Sequence, residues 1–283
     1  MTARVLDGRA VARQIYEEVA KAVSERVSRG GSRPRLATVL VGDDPASLTY
    51  VQLKQRNARN VGIDSEDHRL PATTETDELL ELVERLNNDD TVSAILIQQP
   101  TPRQIDMRRV VVALDPVKDV DGFHPLNAGL VALGLPGGVE PCTPAGIIEL
   151  LQRNRIAIEG ANAVVVGRSN LVGKPTALLL LKRNATVTLC HTRTRDLASY
   201  TRAADILVAA AGRPNLIQKE MVKAGSAVID VSTNWVGGRQ VGDLGPGVDT
   251  VAGWLTPNPG GVGPMTRAML IKNTSEAEIR RRG

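Results

Sequence analysis

Short apolar runs alternate with longer helical stretches along most of this 283-residue chain, and this alternation limits the fold more than any other feature. Residues 35–41 form a β-branched run that ends at a Gly-Asp-Asp-Pro turn, and residues 94–97 form a second apolar run. Between them, residues 46–61 and 76–87 have apolar side chains at helical spacing, and the first of these segments stops at Gly62. Strands and helices in this order predict an α/β fold around a parallel sheet.

The second half of the chain repeats the same alternation. Residues 115–145 are rich in Pro and Gly and poor in regular pattern, which predicts a domain boundary near Pro141. A helix over residues 143–153 follows, with Thr143 as its expected cap. The further predicted elements are strands at residues 163–166, 185–190, 206–210 and 227–231 and helices at residues 173–183 and 264–282. We therefore predict two α/β domains, formed by residues 1–140 plus 266–283 and by residues 141–265.

Composition narrows the classes of function. Apolar residues make up 42% of the chain and charged residues 23%, which is the balance of a globular protein. Aromatic residues are only 2%, so few side chains could stack on nucleic-acid bases, and we expect no nucleic-acid partner. The formal charge of +4 favours a small phosphorylated or carboxylated ligand.

The signals for disulfides, metals, membranes and export are weak. Cys142 and Cys190 could form one disulfide at most, and we expect both to be reduced and buried. No Cys/His spacing resembles a zinc site, so no metal is expected. No run approaches the roughly 18 apolar residues of a membrane span, and residues 1–12 lack the apolar core of a signal peptide. We expect a cytoplasmic protein without a membrane partner.

A glycine turn follows the predicted strand at residues 163–166 and precedes a helix. Backbone N–H groups of such a turn can face a pyrophosphate, which favours a dinucleotide site. The turn departs from G-x-G-x-x-G, because Ser169 replaces the second glycine and Gly173, counted from Gly167, comes one residue late. A P-loop is one alternative, but its spacing is one residue too long and Pro175 stands where Ser or Thr must meet magnesium. A plain strand-to-helix turn stays open as a third interpretation.

The residues after the predicted strand 185–190 indicate which dinucleotide would bind. An acidic side chain near the end of this strand binds the ribose of NAD, whereas a basic residue accommodates the extra phosphate of NADP. Here residues 191–195 read His-Thr-Arg-Thr-Arg, with no acid before Asp196. The sequence therefore favours NADP, with a solvated basic turn as the alternative.

A candidate proton-transfer pair lies in the first half of the chain. Tyr50 and Lys54 are four residues apart and share one face of the predicted helix at residues 46–61. Gln98, at the end of the next predicted strand, can hydrogen-bond the lysine without adding the negative charge of a carboxylate. Asp121 lies in an irregular loop, where a carboxylate can receive N–H donors from a ligand. An ordinary surface lysine and a simple Asp-Gly turn are the alternatives.

Five motifs in sequence order resemble one enzyme family over nearly the whole chain. They are residues 50–54 (YVQLK), 118–122 (KDVDG), 141–144 (PCTP), 167–175 (GRSNLVGKP) and 257–266 (PNPGGVGPMT). Together they look like the bifunctional methylenetetrahydrofolate dehydrogenase/methenyltetrahydrofolate cyclohydrolase family. The last block and the Tyr/Lys block are more specific than any single glycine motif.

The resemblance implies a fold, an activity and partners. It implies two α/β domains, the C-terminal one Rossmann-like and NADP-binding, with the active site in the cleft between them. The enzyme would oxidise 5,10-methylenetetrahydrofolate with NADP⁺ and hydrolyse the methenyl product to 10-formyltetrahydrofolate. The implied partners are tetrahydrofolate one-carbon derivatives, polyglutamylated forms included, and a second copy of the chain in a homodimer formed through the cofactor domains.

The resemblance also implies roles for individual residues. Lys54 would be the principal catalytic residue, Gln98 would position and tune it, Tyr50 would stack on the folate and Asp121 would bind the pterin ring. The residues implied to bind the substrate are Tyr50, Lys54, Gln98, Asp121, Gly261 and Pro264. The residues implied to bind the cofactor are Gly167, Arg168, Ser169, Gly173, Thr143, Thr192, Arg193, Thr233 and Val262.

Three segments depart from the pattern of that family. Gln99 and Thr101 follow Gln98 at positions where the family commonly has leucines, and Ser232 stands where glycine is usual. Residues 244–247 also replace a more apolar segment. These departures leave open the shapes of the folate and nicotinamide pockets. A dehydrogenase without cyclohydrolase activity, a noncatalytic folate or nucleotide sensor and a P-loop phosphotransferase are the alternative functions.

Overall fold

The computed structural model describes residues 2–282, which form two compact units. The six-stranded unit comprises residues 2–13 and 143–266, and the three-stranded unit comprises residues 14–142 and 267–282. Met1 and Gly283, which the predicted N-terminal domain includes, lie outside the described residues.

Helices and strands alternate along the described chain. The helices are α1 (Gly8–Ser28), α2 (Pro45–Asn60), α3 (Thr76–Asn88), α4 (Met107–Ala113), α5 (Pro125–Ala132), α6 (Cys142–Arg153), α7 (Gly173–Leu181), α8 (Leu197–Thr201) and α9 (Val262–Arg282). The strands are β1 (Arg4–Val5), β2 (Arg35–Val41), β3 (Asp64–Leu70), β4 (Ala94–Ile97), β5 (Asn162–Val166), β6 (Thr186–Cys190), β7 (Ile206–Ala209), β8 (Ala227–Asp230), β9 (Asn234–Val236), β10 (Arg239–Val241) and β11 (Trp254–Leu255). Short 3₁₀ helices lie at Lys219–Met221 and Val248–Thr250.

The three-stranded unit is built on the parallel sheet β3-β2-β4. A single parallel bridge between Ile95 and Asp119 continues this sheet beyond β4. Alternate residues of β2 and β4, such as Val39 and Ile97, pack in one apolar cluster with α3 and α4. Because β2 and β4 are buried along almost their whole length, they form the continuous apolar runs seen in the sequence.

The six-stranded unit has the strand order β1-β11-β8-β7-β5-β6, and every pairing in this sheet is parallel. The chain passes from β5 to β6 on one side and then returns to β7 on the other side. In an open α/β sheet, ligands bind outside the carboxyl ends of the strands at such a switch point. The antiparallel hairpin of β9 and β10 follows β8 and turns at Gly237 and Gly238.

The structure confirms the predicted α/β class with a parallel sheet. The bounds of β2 and β4 agree residue for residue with the prediction, and the other predicted strands and helices begin and end within two residues of it. One local prediction is wrong: α6 begins at Cys142, so Thr143 lies inside the first turn of the helix instead of capping it.

The N-terminal residues belong to a different unit from the one that the predicted domain assignment gives them. Residues 2–13 lie in the six-stranded unit. The reason is that β1 pairs in parallel with β11, with Arg4 opposite Trp254, and the backbone N–H of Leu6 donates to Leu255 O at 2.8 Å. A two-residue strand of this kind carries too little pattern for a sequence prediction.

Two smaller findings complete the fold. Cys142 and Cys190 are both free and buried, as predicted. Over residues 2–282, no helix combines the length and the apolar character that crossing a membrane requires.

Candidate active site and cofactor-binding residues

Lys54 and Gln98 meet in the three-stranded unit. Asp44 accepts a hydrogen bond from the backbone N–H of Ser47 at 2.8 Å, and Pro45 is the first helical residue, so α2 begins shortly after β2. Gln98 directly follows β4, the neighbour of β2 in the sheet. Across these two elements, Lys54 Nζ donates a hydrogen bond to Gln98 Oε1 at 2.9 Å.

The side-chain amide of Gln98 has a defined orientation. It is only 9% exposed, and its Nε2 donates to the backbone oxygen of Gln99. Its Oε1 is therefore directed at Lys54. Because an amide oxygen accepts a hydrogen bond without carrying a charge, Gln98 fixes the position of the Lys54 nitrogen and adds no carboxylate beside it.

Asp121 lies in a turn that Asp119 organises. The buried carboxylate of Asp119 accepts hydrogen bonds from the backbone N–H groups of Gly122 and His124 at 3.1 and 2.7 Å. A third hydrogen bond comes from Asn127 Nδ2 at 3.0 Å. Gly122 has a φ of +72°, and a Cβ there would lie 2.6 Å from a neighbouring backbone oxygen, so only glycine fits. The turn therefore holds Asp121 in place.

Burial raises the pKa of Asp121 from 3.8 to about 6. The nearby charge of Asp119 acts in the same direction, whereas the positive charge of Lys54 and a hydrogen bond from Cys142 favour the ionised form. Burial, followed by the negative charge of Asp121, raises the pKa of the Cys142 thiol well above its usual value. Lys54, Asp121 and Cys142 thus form one electrostatically coupled cluster.

An aromatic ring and a pocket accompany this cluster. Tyr50 lies one turn before Lys54 in α2 and is 45% exposed, so a face of its ring is open to a ligand. A pocket of about 260 Å³, including space open to solvent, has Asp121 in its wall. The lining residues are Ile95, Ile97, Gln99, Met107, Val111, Leu114, Asp119, Asp121 and Phe123.

The glycine turn after β5 packs too closely for side chains. A Cβ on Gly173 would lie 2.0 Å from Gly167 O, and a Cβ on Gly167 would lie 2.1 Å from Ala210 O. Gly167 also has a φ of +130°. Because α7 begins at Gly173, the positive end of its helix dipole lies at this turn, which suits a phosphate group.

Ser169 contributes to the start of α7. Its Oγ accepts hydrogen bonds from the backbone N–H groups of Val172 and Gly173 at 3.1 and 3.3 Å. The hydroxyl therefore satisfies two amides of the first helical turn, and its own O–H is left to donate. Arg168, the preceding residue, is exposed.

The acid after β6 is already engaged in capping a helix. Asp196 caps α8, and its Oδ1 accepts a hydrogen bond from the backbone N–H of Ser199 at 3.3 Å. Thr192 and Arg193, which come between β6 and this cap, are exposed. The end of β6 therefore presents a cation and a hydroxyl instead of the carboxylate that an NAD ribose requires.

The remaining predicted site residues also lie in the six-stranded unit. Thr143 Oγ1 is 2.8 Å from Thr266 Oγ1, and either hydroxyl can donate. Thr233 is exposed just beyond β8. Gly261 and Val262 are buried at the start of α9, and Pro264 is half-buried in its first turn.

Sequence reasoning missed two members of the cluster around Asp121. Asp119 organises the turn, and the Cys142 thiol, which donates to Val120 O at 3.2 Å, interacts electrostatically with the Asp121 carboxyl. The run Asp-Val-Asp-Gly carries a signal for Asp119, because a carboxylate two or three residues before a turn commonly accepts its backbone amides. Nothing in the local sequence signals the contact of Cys142.

The two units together define a class of protein. One unit carries a parallel sheet with a phosphate-type glycine turn at its switch point, and the other carries a lysine, amide and carboxylate cluster beside a pocket. This is the plan of a two-domain α/β enzyme that uses a nucleotide cofactor.

Comparison with known proteins identifies the family. Residues 6–121 match the catalytic-domain model of tetrahydrofolate dehydrogenase/cyclohydrolase, and residues 141–282 match the NAD(P)-binding-domain model. The bifunctional protein FolD of Halothermothrix orenii is 54% identical over 276 residues, covering 97% of each chain. The FolD of Moorella thermoacetica is 52% identical over 282 residues, covering 99% of this chain and 100% of its own. The protein therefore belongs to the tetrahydrofolate dehydrogenase/cyclohydrolase family.

Solved structures show the same similarity. The bifunctional FolD of Campylobacter jejuni has a TM-score of 0.96 at 44% identity, with 99% of each chain covered. The FolD of Trypanosoma brucei, which was solved with an NADP cofactor and an inhibitor, has a TM-score of 0.93 at 38% identity over the full length of both chains.

Proposed function

We propose that the protein oxidises 5,10-methylenetetrahydrofolate with NADP⁺ and hydrolyses the resulting 5,10-methenyltetrahydrofolate to 10-formyltetrahydrofolate. The observation that carries this proposal is the 2.9 Å contact between Lys54 Nζ and Gln98 Oε1, coupled in charge to Asp121. A lysine held by a neutral partner next to a half-buried carboxylate is suited to moving a proton. Membership of the family supplies the substrate and the two reactions.

The residues of the three-stranded unit have distinct roles in the hydrolysis. The Lys54 amine removes or relays a proton as water adds to the methenyl carbon. Gln98 keeps the Lys54 nitrogen in position through its fixed amide oxygen. Asp121 accepts hydrogen bonds from ring N–H donors of the pterin, and the open ring face of Tyr50 stacks on the folate.

The residues of the six-stranded unit fit a dinucleotide with an additional phosphate. The bare backbone at Gly167 and Gly173 admits a pyrophosphate, and the exposed Arg168 can neutralise its charge. Thr192 and Arg193 suit the adenosine phosphate, since Asp196 is engaged as a cap. When bound, the nicotinamide would supply the hydride acceptor for the one-carbon bridge of the substrate.

The finer assignments are part of the proposal. Thr143, Thr233 and Val262 contact the nicotinamide half, Ser169 donates its hydroxyl to the cofactor phosphates, and Gly261 and Pro264 bind the substrate. The location of the active site in a cleft between the domains stays a prediction. We also propose a cytoplasmic homodimer that dimerises through its cofactor domains and accepts polyglutamylated folates, to which its net charge of +4 is suited.

A single assay at two wavelengths tests the function. Purified protein is mixed with 5,10-methylenetetrahydrofolate and either NADP⁺ or NAD⁺, and the reduced cofactor and the methenyl intermediate are followed separately. We expect reduction with NADP⁺ and little build-up of methenyl intermediate. Persistent methenyl accumulation would leave a dehydrogenase alone, and absence of reduction with both cofactors would indicate a noncatalytic sensor.

A further inference from the structure

A fully buried carboxylate lies beneath the loops that follow β7 and β8. The side chain of Asp243, which is 0% exposed, accepts five hydrogen bonds. Its donors are Ala211 N at 2.6 Å, Gly212 N at 3.1 Å, Arg213 N at 2.7 Å, Ser232 Oγ at 2.7 Å and Asn234 Nδ2 at 3.2 Å. Three successive backbone amides thus wrap around one carboxylate, which is a strong and charge-assisted arrangement.

Ser232 joins the two loops directly. Its hydroxyl donates to Asp243 Oδ2 and accepts a hydrogen bond from Gly212 N at 3.0 Å. Its backbone oxygen accepts a further hydrogen bond from Asn258 Nδ2 at 2.7 Å. The Ser232 side chain therefore links the loop after β7 to the loop after β8.

The backbone of Asp243 is anchored as well. Asp243 N donates to Oδ1 of Asp230 at 3.0 Å, and Asp230 is itself buried at the end of β8. A Cβ on Gly242 would lie 1.6 Å from Asp230 Oδ2, so the close approach of the two segments requires glycine there. Burial raises the pKa of Asp230 to about 6. Asp243 is therefore anchored on both sides and is a rigid base for the loops.

These loops lie where a dinucleotide would pass. The loop after β7 begins at Ala210, whose oxygen lies against the Cβ position of Gly167 in the glycine turn. Residues 211–213 and Thr233 are exposed, whereas Ser232 and Asp243 beneath them are buried. The exposed residues are therefore a surface at the carboxyl ends of β5, β7 and β8, and the buried pair sets its shape.

We propose that Ser232 and Asp243 are positioning residues for the nicotinamide half of NADP⁺. This proposal rests on the proposed function, in which Thr233 contacts that half of the cofactor. The two side chains hold residues 211–213 and Thr233 in one arrangement before the cofactor arrives. Preordered loops do not lose conformational entropy on binding, so the network strengthens cofactor binding without touching the cofactor.

The test compares a whole cofactor with a fragment that lacks the nicotinamide. NADP⁺ and adenosine 2′,5′-bisphosphate are titrated calorimetrically into the unsubstituted protein and into Ser232→Ala and Ser232→Gly, at a temperature where circular dichroism shows all three folded. We expect the dissociation constant for NADP⁺ to rise about tenfold, as the loss of one charge-assisted hydrogen bond would produce, and that for the bisphosphate to stay within about twofold. The cyclohydrolase kcat, measured without cofactor, should not change.

Two further variants sharpen the result. Ser226→Ala is the matched control, because Ser226 is a buried serine next to the opposite end of β8, and its hydroxyl donates to Lys223 O at 2.8 Å. It should leave both dissociation constants unchanged. Asp243→Asn replaces a carboxylate that has five donors, so it should weaken NADP⁺ binding more than Ser232→Ala does.

Each other outcome has a definite meaning. Unchanged binding of NADP⁺ by Ser232→Ala would overturn the positioning role alone. Equal weakening for NADP⁺ and the bisphosphate would also overturn it, because the network would then support the whole unit and not the nicotinamide half. If the unsubstituted protein bound neither ligand, the proposed use of NADP⁺ would fail, and this inference would fail with it.

Discussion

Replacing Asp121 by Asn is expected to remove an acid limb from the pH dependence of the cyclohydrolase reaction. Burial raises the pKa of Asp121 from 3.8 to about 6, so this carboxyl loses its charge within a pH range that an assay can reach. The proposed role of Asp121 is to accept N–H donors from the pterin, which only the ionised carboxylate does with both oxygens. In the unsubstituted protein, kcat/KM should therefore fall as the pH is lowered through about 6.

The size of the effect follows from the pKa. At about pH 5, one unit below the pKa, roughly one-tenth of Asp121 is ionised, so kcat/KM should be about tenfold below its plateau. A carboxyl with the ordinary pKa of 3.8 would be almost fully ionised at that pH and would lose almost nothing. Asp121→Asn should have a lower plateau and lack the limb near pH 6.

The assay follows the disappearance of 5,10-methenyltetrahydrofolate between about pH 5 and pH 8. Glu84→Gln is a suitable control, because it removes an exposed carboxylate of α3 and should keep the limb of the unsubstituted protein. A profile of the unsubstituted protein that stays flat down to about pH 5 would show that the ionisation of Asp121 does not control kcat/KM. A limb that survives in Asp121→Asn would assign it to another group.

The same titration should appear in stability. Because the pKa of Asp121 is higher in the folded protein than its ordinary value of 3.8, the folded state binds more protons between about pH 4 and pH 6. The contribution of Asp121 to the free energy of unfolding is fully present below about pH 4 and is lost as the pH rises through about 6. A shift of about two pKa units corresponds to about 3 kcal/mol. The unsubstituted protein should therefore lose up to about 3 kcal/mol of unfolding free energy, relative to Asp121→Asn, as the pH rises from acid to neutral. Urea unfolding at each pH measures this difference.

Two other substitutions test the framework of each unit. Lys118→Met should destabilise the three-stranded unit by about 3 kcal/mol in urea unfolding, because the buried Lys118 Nζ donates to three carbonyl oxygens at the end of α3 at 2.6 to 2.8 Å. A loss below about 0.5 kcal/mol would contradict this. Gly173→Ala should weaken NADP⁺ binding at least about tenfold and spare the cyclohydrolase, because its Cβ would lie 2.0 Å from Gly167 O. Gly129→Ala, at a helical position with open space, is the control and should bind NADP⁺ normally.

The sequence predicted the buried parallel strands well and the polar elements poorly. The strands β2 and β4 were predictable because both are buried along their length, which makes the apolar pattern continuous. The edge strand β3, with the sequence Asp-Ser-Glu-Asp-His-Arg-Leu, is half exposed and has no apolar run that would reveal it. It forms because β2 offers it a full parallel register, from Arg35 opposite Asp64 to Val41 opposite Leu70.

The hairpin of β9 and β10 could have been predicted. Gly237 and Gly238, both with positive φ, separate two short strand-like segments, and a Gly-Gly pair is a recognised hairpin signal. Trp235 and Val236 are exposed, however. The hairpin therefore lacks the alternation of buried apolar and exposed polar residues that would mark its strands in the sequence.

The candidate site was predictable only in part. Helical spacing alone places Tyr50 and Lys54 on one face, but the contact of Lys54 with Gln98 depends on β2 and β4 being neighbours in the sheet. The contacts of Asp119 and the wrapping of residues 211–213 around Asp243 depend on tertiary structure in the same way. Gln98 and Asp121 were candidates from their places at a strand end and in an irregular loop, and the family resemblance implied their roles. Asp243 emerged only from the hydrogen bonds of the folded chain.

Lys54→Met in the two-wavelength assay is the best test of whether Lys54 drives the hydrolysis. We expect the cyclohydrolase rate to fall by at least about 10²-fold, since the amine that moves the proton is gone. Lys54→Arg should fail as well, because a guanidinium cannot act as a base. The dissociation constant for NADP⁺ should not change, because the residues assigned to the cofactor all lie in the six-stranded unit. A folded Lys54→Met protein that hydrolyses 5,10-methenyltetrahydrofolate within a few-fold of the unsubstituted rate would contradict the claim.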